Sequence, residues 1–308
     1  MQAILSYLSF KSVDIDKLRG FASDGASVMV GRHNGVAAQL KNCSPLISIH
    51  CVNRLALAAS HAADNIPYLQ RFKSHLHNLF SFYQNSPVRL AGLHAIEAIL
   101  DDPRIKLREA KDVRWLSHDA AVASILRILP SLIASLDREA SKRGEPVASG
   151  LLRFVKTYNF VATAHLLHKV LPHISRLSLI FQKEDVDFTQ LRPCLDATIS
   201  AVSAYKSDQL EEVDTALSSD LSDFDINTSD RLKEDFRKQV QEKYIDALVT
   251  QLQNRLADVA DLEQFSLFDP SKVPTESDEA FKTYGDHQLE HLSIQYGSGD
   301  KADKEALF

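Results

Sequence analysis

Two short apolar runs, followed by a long tract of helical periodicity, constrain this chain more than any other feature of its sequence. Leu18–Ala22 is compact and apolar and ends at the polar turn Ser23-Asp24-Gly25, as a buried strand would. Ile47-Ser48-Ile49-His50-Cys51 is β-branched and alternating and reads as a second strand. Between them, Gly31 and Asn34 punctuate the chain before a short helix at Gly35–Lys41, and Gln2–Phe10 reads as a short helix at the start. From Asn53 onward the period changes. Leu55, Leu57, Ala58 and Ala62, then Leu69, Phe72, Leu76, Leu79 and Phe80, recur three to four residues apart, the spacing of one helix face.

Helices dominate the rest. Pro87 opens one that runs to Leu100 and stops at Asp101-Asp102-Pro103. Ser117–Leu129 is the next, with Pro130 expected to end or kink it before Ser131–Lys142 continues to Gly144. Ala148–Leu171, Pro172–Gln182, Phe188–Tyr205 and Ser229–Ala257 complete the series, with a Ser- and Asp-rich loop over Ser218–Asp230. A Pro-punctuated segment and a polar, acidic end follow Leu262. Two strands alone make a marginal sheet, so either helices cover it or it is the later part of a larger sheet domain.

With 308 residues, 44% of them hydrophobic, the chain can form one large domain or two ordinary ones. No apolar run approaches the roughly 18 residues needed to span a bilayer. Met1–Phe10 has no basic region ahead of it and no cleavage site after it, so a secretory signal is not expected. Three cysteines, Cys43, Cys51 and Cys194, are an odd count without Cys-x-x-Cys spacing, which points to reduced thiols in an intracellular protein rather than to disulfides or a zinc finger. The net charge of −6 conceals a division. Residues 1–183 hold 23 lysines and arginines against 13 aspartates and glutamates, while residues 184–308 hold 12 against 28. Such a basic part suggests contact with nucleic acid, and such an acidic part a solvated tail or partner surface; solvated helix faces would give the same totals.

Read in order, Ala22-Ser23-Asp24-Gly25-Ala26-Ser27-Val28-Met29-Val30-Gly31, then His50-Cys51-Val52 running into Asn53-Arg54-Leu55, then Val113-Arg114-Trp115-Leu116-Ser117, form a series of motifs. That series resembles the hAT (hobo/Activator-type) transposase superfamily, especially its host-domesticated members among animal zinc-finger-type proteins. Phe268-Asp269-Pro270, Pro274 and Tyr284-Gly285 resemble later parts of the same proteins, so the likeness runs from about residue 20 to 296. Each motif alone is weak; their order and spacing carry the match.

The resemblance implies an α/β, mostly helical fold, in which a truncated RNase H-like core is followed by an all-α insertion-type domain. In the family, three carboxylates hold two divalent metal ions, usually magnesium, that activate the nucleophile and stabilise the leaving oxygen in phosphodiester cleavage. Asp24 matches the second acid, at the end of its strand. The first belongs on an earlier strand, before this chain starts, and the third in a Ser-Glu-Arg-type motif that the chain does not reach, so one of three is expected. The family's next motif is Cys or Asp, two residues, then His, usually followed by Arg-Leu. Here Cys51-Val52-Asn53-Arg54-Leu55 is one residue short, with Asn53 where the His would stand. Asn cannot serve as an imidazole acid or base, and the missing residue turns the following helix by about 100°. Trp115 is the only tryptophan. In the family it lies near the DNA end, where it could stack on a displaced base; packing between helices is the alternative. Arg114 could contact phosphate or pair with Asp112 or Glu109.

Other candidates are weaker. His287-Gln288-Leu289-Glu290-His291 matches an inverted zincin pattern, but the third ligand should come from well downstream; an exposed amphipathic helix is the better reading. His165, His168 and His173 lie near one another without a cysteine or carboxylate close in sequence to complete a metal site. The expectation is therefore a partial RNase H-like unit over 1–83, a helical insertion-like domain over 84–262 and an acidic C-terminal segment over 263–308. The expected function is that of a catalytically inactive, nuclear, transposase-derived module, with no cofactor unless the full magnesium site existed. Its expected partners are DNA or chromatin, through the basic first part, or proteins, with no membrane contact; self-association is left open. A fragment of an active transposase and a purely protein-binding helical scaffold are the alternatives.

Overall fold

The computed structural model describes residues 1–15, 18, 20–23, 27–31, 33–44, 47–49, 52–109, 117–182, 188–256 and 264–296. These are mostly helical. The sheet among them has two strands, β1 (Gly20–Ala22) and β2 (Ile47–Ile49), paired in parallel with Gly20 opposite Ile47 and Ala22 opposite Ile49. Both strands fall within the runs that the sequence marks as strands. The helices are α1 (Gln2–Phe10), α2 (Ser27–Val30), α3 (Val36–Lys41), α4 (Val52–Asp64), α5 (Pro67–Gln84), α6 (Pro87–Ile99), α7 (Ser117–Leu126) and α8 (Leu129–Arg143). They continue with α9 (Pro146–Val155), α10 (Tyr158–Phe181), α11 (Phe188–Ala204), α12 (Glu211–Ser218), α13 (Asp230–Phe236), α14 (Glu242–Arg255) and α15 (Asp286–Tyr296).

The chain groups into two compact units. The first gathers residues 1–55, 177–197 and 253–308; the second gathers 56–176 and 198–252. In the first, Val36 and Leu40 of α3 form the buried centre, packed by Met1, Ile4, Ile15, Leu18, Phe21 and Met29. Ser44 ties the end of α3 to the approach of β1 by donating its hydroxyl to the Leu18 carbonyl at 2.6 Å. Parallel strands require a crossover of a dozen or more residues, and α2 and α3 lie within it. Further along the same unit, Tyr284 donates its hydroxyl weakly to the Ser266 and Leu267 carbonyls, 3.4 Å away in each case, bracing a 3₁₀ turn over Gln264–Phe268.

In the second unit the helices start where proline can be accommodated. Pro67, Pro87, Pro130 and Pro146 all stand in the first turns of α5, α6, α8 and α9, where their missing N–H would have no intrahelical partner anyway. Ser86 caps α6 by accepting from the Arg89 amide, and Gly144 ends α8 in the left-handed conformation with φ 64°. An aromatic cluster fills the core: Phe160 sits 5.1 Å from Phe72 and edge-on to Phe154 at 5.8 Å.

Two expected helix breaks move. The break near Pro130 comes earlier, at Arg127–Ile128, with the two helices bent by 77°, because Pro130 is better placed inside the first turn of α8 than at the end of α7. The expected break at Pro172 is absent, and α10 runs through it. The interruption falls at Lys156–Thr157, where the Thr157 hydroxyl bonds the Phe154 carbonyl at 2.8 Å and accepts from the Phe160 amide at 3.3 Å, a side-chain start signal for α10. Pro172 deprives the His168 carbonyl of its usual partner, but His168 is exposed, so the carbonyl there can be solvated. The helix expected over Ser229–Ala257 divides into α13, a π-helical turn at Arg237–Gln241, and α14. No single helix is long and apolar enough to cross a membrane among the described residues.

Candidate functional site

Two of the motifs expected at a site border β1 and β2 in sequence. In open parallel sheets, chemistry collects at the carboxyl ends of the strands, where the chain leaves the sheet. Ser23 follows the carboxyl end of β1. Asp24, Cys51, Arg114 and Trp115 lie outside the described residues. Asn53 and Arg54 form the first turn of α4 by their backbone. Asp269 accepts hydrogen bonds from the Ser271 amide and hydroxyl at 3.0 and 2.7 Å at the start of a 3₁₀ turn. Glu263 is also outside the described residues.

His287 and His291 lie one turn apart on α15 with ring centres 6.4 Å apart. No group of three His, Cys, Asp or Glu side chains among the described residues is placed to hold a metal ion. His165, His168 and His173 share α10 but not a site. Burial pushes the His165 imidazole below its ordinary value, with Glu212 opposing the shift. His173 bonds the Tyr205 hydroxyl at 3.1 Å. Asp119 of α7 is shifted upward by burial, against the pull of His168.

The densest polar arrangement is one the sequence did not mark. Lys169 of α10 reaches Asp208 at 2.7 Å and Glu212 at 2.8 Å, joining α10 to the loop before α12 and to α12 itself. Asp208 also accepts from the Leu210 amide at 2.9 Å, which holds Leu210 at φ 52°. Burial opposes the Lys169 charge, but the hydrogen bonds to both carboxylates win and raise its pKa. For Asp208, burial raises the pKa, and the Lys169 bond, the Leu210 amide bond and the Lys169 charge together more than reverse it; for Glu212 the Lys169 bond is the leading cause of a lowered value. Behind this trio, the π-helical turn brings Gln241 inward. Its side-chain amide, 2% exposed as a residue, donates to the Tyr205 and Asp208 carbonyls at 2.8 and 2.7 Å. Such a turn inserts one extra residue into a helix and turns a chosen side chain inward. An open cleft of about 330 Å³ lies over the π-helical turn, bordered by Tyr158, Leu210, Lys233 and Arg237. Tyr158 is pushed up to about 12 by burial and by Asp214. The cations that border it are answered: Lys233 pairs with Asp214 at 2.6 Å and Arg237 with Glu234 at 2.7 Å. Chemically this arrangement fastens helices together through ion pairs and buried hydrogen bonds.

A second feature was passed over in sequence because it follows the stop at Asp101-Asp102-Pro103. Arg104, Lys106 and Arg108 are exposed, Ile105 is half-buried and Leu107 is buried, a period of two that belongs to extended chain. Its signal in the sequence was the strict alternation of basic and apolar residues. A cleft of about 490 Å³ borders it, lined by Tyr83, Leu90, His94, Arg104, Ile105 and Lys106 among others. His94 bonds the Glu97 carboxylate through Nδ1 at 2.7 Å, which fixes the ring.

Neither a family model nor a solved structure matches this chain.

Proposed function

We propose that the chain is a catalytically inactive, transposase-derived module of the hobo/Activator type, whose first part is a truncated RNase H-like unit. It works in the nucleus by binding DNA or chromatin through its basic first part. The observation that carries this reading is the parallel β1–β2 pair, with Ser23-Asp24-Gly25 next in sequence after β1 and the Cys51–Leu55 motif soon after β2 in sequence, its Asn53, Arg54 and Leu55 within α4. That is the order in which the resembling proteins present their second acid and their Cys/His motif. Cleavage by two metals needs three converging carboxylates, and Asp24 alone matches one of them. The test is strand cleavage of supercoiled DNA with magnesium. No cleavage above background is expected, and cleavage that disappears in Asp24→Asn would show instead a fragment of an active enzyme. Binding to duplex DNA is expected at ~50 mM salt and should weaken steeply as salt rises.

A second reading, a helical scaffold that contacts only proteins, draws support from the ion pairs. Arg89, Arg138, Arg143, Lys169, Lys206, Lys233 and Arg237 are all engaged by carboxylates and so are less available to phosphates. Absence of DNA binding at ~50 mM salt selects this reading.

A further inference from the structure

We infer that the segment 103–108 is an edge for strand addition and accepts an extended acidic peptide in which carboxylates alternate with apolar side chains. The argument starts from hydrogen bonds. Each residue other than proline carries one backbone donor and one acceptor, and in folded chains nearly all of them are used. Residues 103–109 make no hydrogen bond and no ion pair with any described residue, through backbone or side chain. With side chains that alternate between exposed and covered from Arg104 to Arg108, such a run with its donors and acceptors open is a template on which an extended segment can pair.

The segment is also held in place, which makes it a site rather than a loose loop. At its start, the Asp102 amide bonds the Glu97 carbonyl at 2.9 Å, following the left-handed Asp101 (φ 57°). The Asp102 carboxylate then accepts from the Ser131 amide at 3.2 Å and hydroxyl at 2.6 Å, capping the first turn of α8 from outside the helix. Near its end, Leu107 is 6% exposed. A pre-ordered edge loses little conformational freedom when a partner pairs with it.

The alternation sets the chemistry of the partner. Residues directly opposite one another on paired strands share a face, so a partner's side chains meet Arg104, Lys106 and Arg108 on the outer face and Ile105 and Leu107 on the inner one. The outer positions carry three positive charges spaced about 6.6 Å apart along an extended chain. They demand Asp or Glu at every second position and repel a basic or identical strand, which keeps the edge from pairing with another copy of itself. The inner positions face apolar surface continuous with the cleft that Leu90 and Tyr83 help line, and they suit Ile or Val. Glu109 ends the basic run and marks its limit. The inference rests on this segment and does not depend on the transposase descent proposed above.

The probe is a fluorescein-labelled peptide, Glu-Ile-Glu-Val-Glu-Ile-Glu, titrated with the whole protein at low salt and followed by anisotropy. Saturable binding is expected. It should weaken by about tenfold or more in Arg104→Glu/Lys106→Glu/Arg108→Glu, since three opposite-charge cross-strand pairs are lost and reversed. The same variant should gain affinity for Lys-Ile-Lys-Val-Lys-Ile-Lys, a result that a misfolded variant could not give. Two further peptides, N-methylated on odd or on even amides, separate strand pairing from charge attraction: one of the two should lose about tenfold and the other much less. The idea is overturned if the peptide does not bind, if neither methylated peptide is weakened, or if a scrambled peptide with its acids clustered binds equally well. It is also overturned if a single-stranded oligothymidine of equal charge binds more tightly through the same three residues, which would make this a phosphate site.

Discussion

The two compact units hold themselves together in different ways. The first has, around Val36 and Leu40, elements of three to nine residues: α1, α2, α3, β1 and β2. The second has α5 with eighteen residues and α8 with fifteen, whose buried faces include Leu69, Phe72, Leu76 and Leu79 on one and Leu132, Ile133 and Leu136 on the other. An isolated helix shorter than about 12 residues is marginal in water. The short elements of the first unit therefore owe their order to tertiary contacts, whereas the long helices of the second add their own periodicity and capping to the packing. The contrast teaches where stability should be concentrated and where motion should be.

The largest expected effect tests that directly. Phe160 is fully buried among Phe72 and Phe154, and Phe160→Ala removes most of a ring from a packed cluster. It should cost roughly 3–5 kcal/mol in urea unfolding. Leu40→Ala should cost roughly 2–5 kcal/mol of local stability. Its signature in hydrogen exchange should be faster exchange of the α3 amides while the α5 and α8 amides keep their protection. Equal loss of protection in α5 and α8 would erase the distinction between the two units.

The Lys169 trio gives the second test, smaller and dependent on pH. Asp208 and Glu212 have lowered values in the folded chain, so their contribution is present above about pH 4, the unfolded carboxylate range, and is lost as pH falls through the folded values. Lys169 has a raised value, so its contribution is present below about pH 10 and lost as pH rises past the folded value. Lys169→Met should therefore cost roughly 1–2 kcal/mol near neutral pH. It should also flatten the acid limb of a plot of unfolding midpoint against pH. An acid limb that keeps its wild-type slope would show that these carboxylates owe nothing to Lys169.

How much of this was legible in the sequence follows the same division. Pro87 and Gly144 are local signals that act within one turn, and they mark the start of α6 and the end of α8. The two strands were legible because β-branched and apolar runs between polar turns have few other uses. What the sequence did not reveal depends on partners far along the chain. Lys169 meets Asp208 only across 39 residues, and Gln241 meets the Tyr205 carbonyl across 36. Pro172 misled because its cost depends on what surrounds the His168 carbonyl, which no local pattern states. The alternation of basic and apolar residues from Arg104 to Arg108 is present in the sequence, but five residues are too few to tell an extended run from the loop that follows a proline stop. The residues expected at a catalytic relic, Asp24, Cys51, Arg114 and Trp115, are suggested by motif order alone, because a lone acid or tryptophan has no periodicity of its own, and all four lie outside the described residues.

The smallest effect concerns the polar surface of the second unit. Gly92 on α6 lies beneath the Arg138 guanidinium, and a methyl group added there would collide with it. Arg138 holds only a long bond, 3.4 Å, to Glu139, whose other oxygen is already bonded by Arg143 at 3.0 Å. Glycine within a helix costs about 1 kcal/mol relative to alanine, and a partly exposed ion pair is worth about 0–1 kcal/mol. Moving the end of a flexible side chain should thus offset only part of the gain, and Gly92→Ala should stabilise the protein by about 0.5 kcal/mol. With Arg138→Ala already in place the same change should give nearly the full ~1 kcal/mol, and the double-mutant cycle isolates the contact. A loss of more than about 1 kcal/mol on Gly92→Ala would mean that Arg138 cannot yield. The second unit would then owe its stability to its charged surface as well as to the aromatic and leucine core.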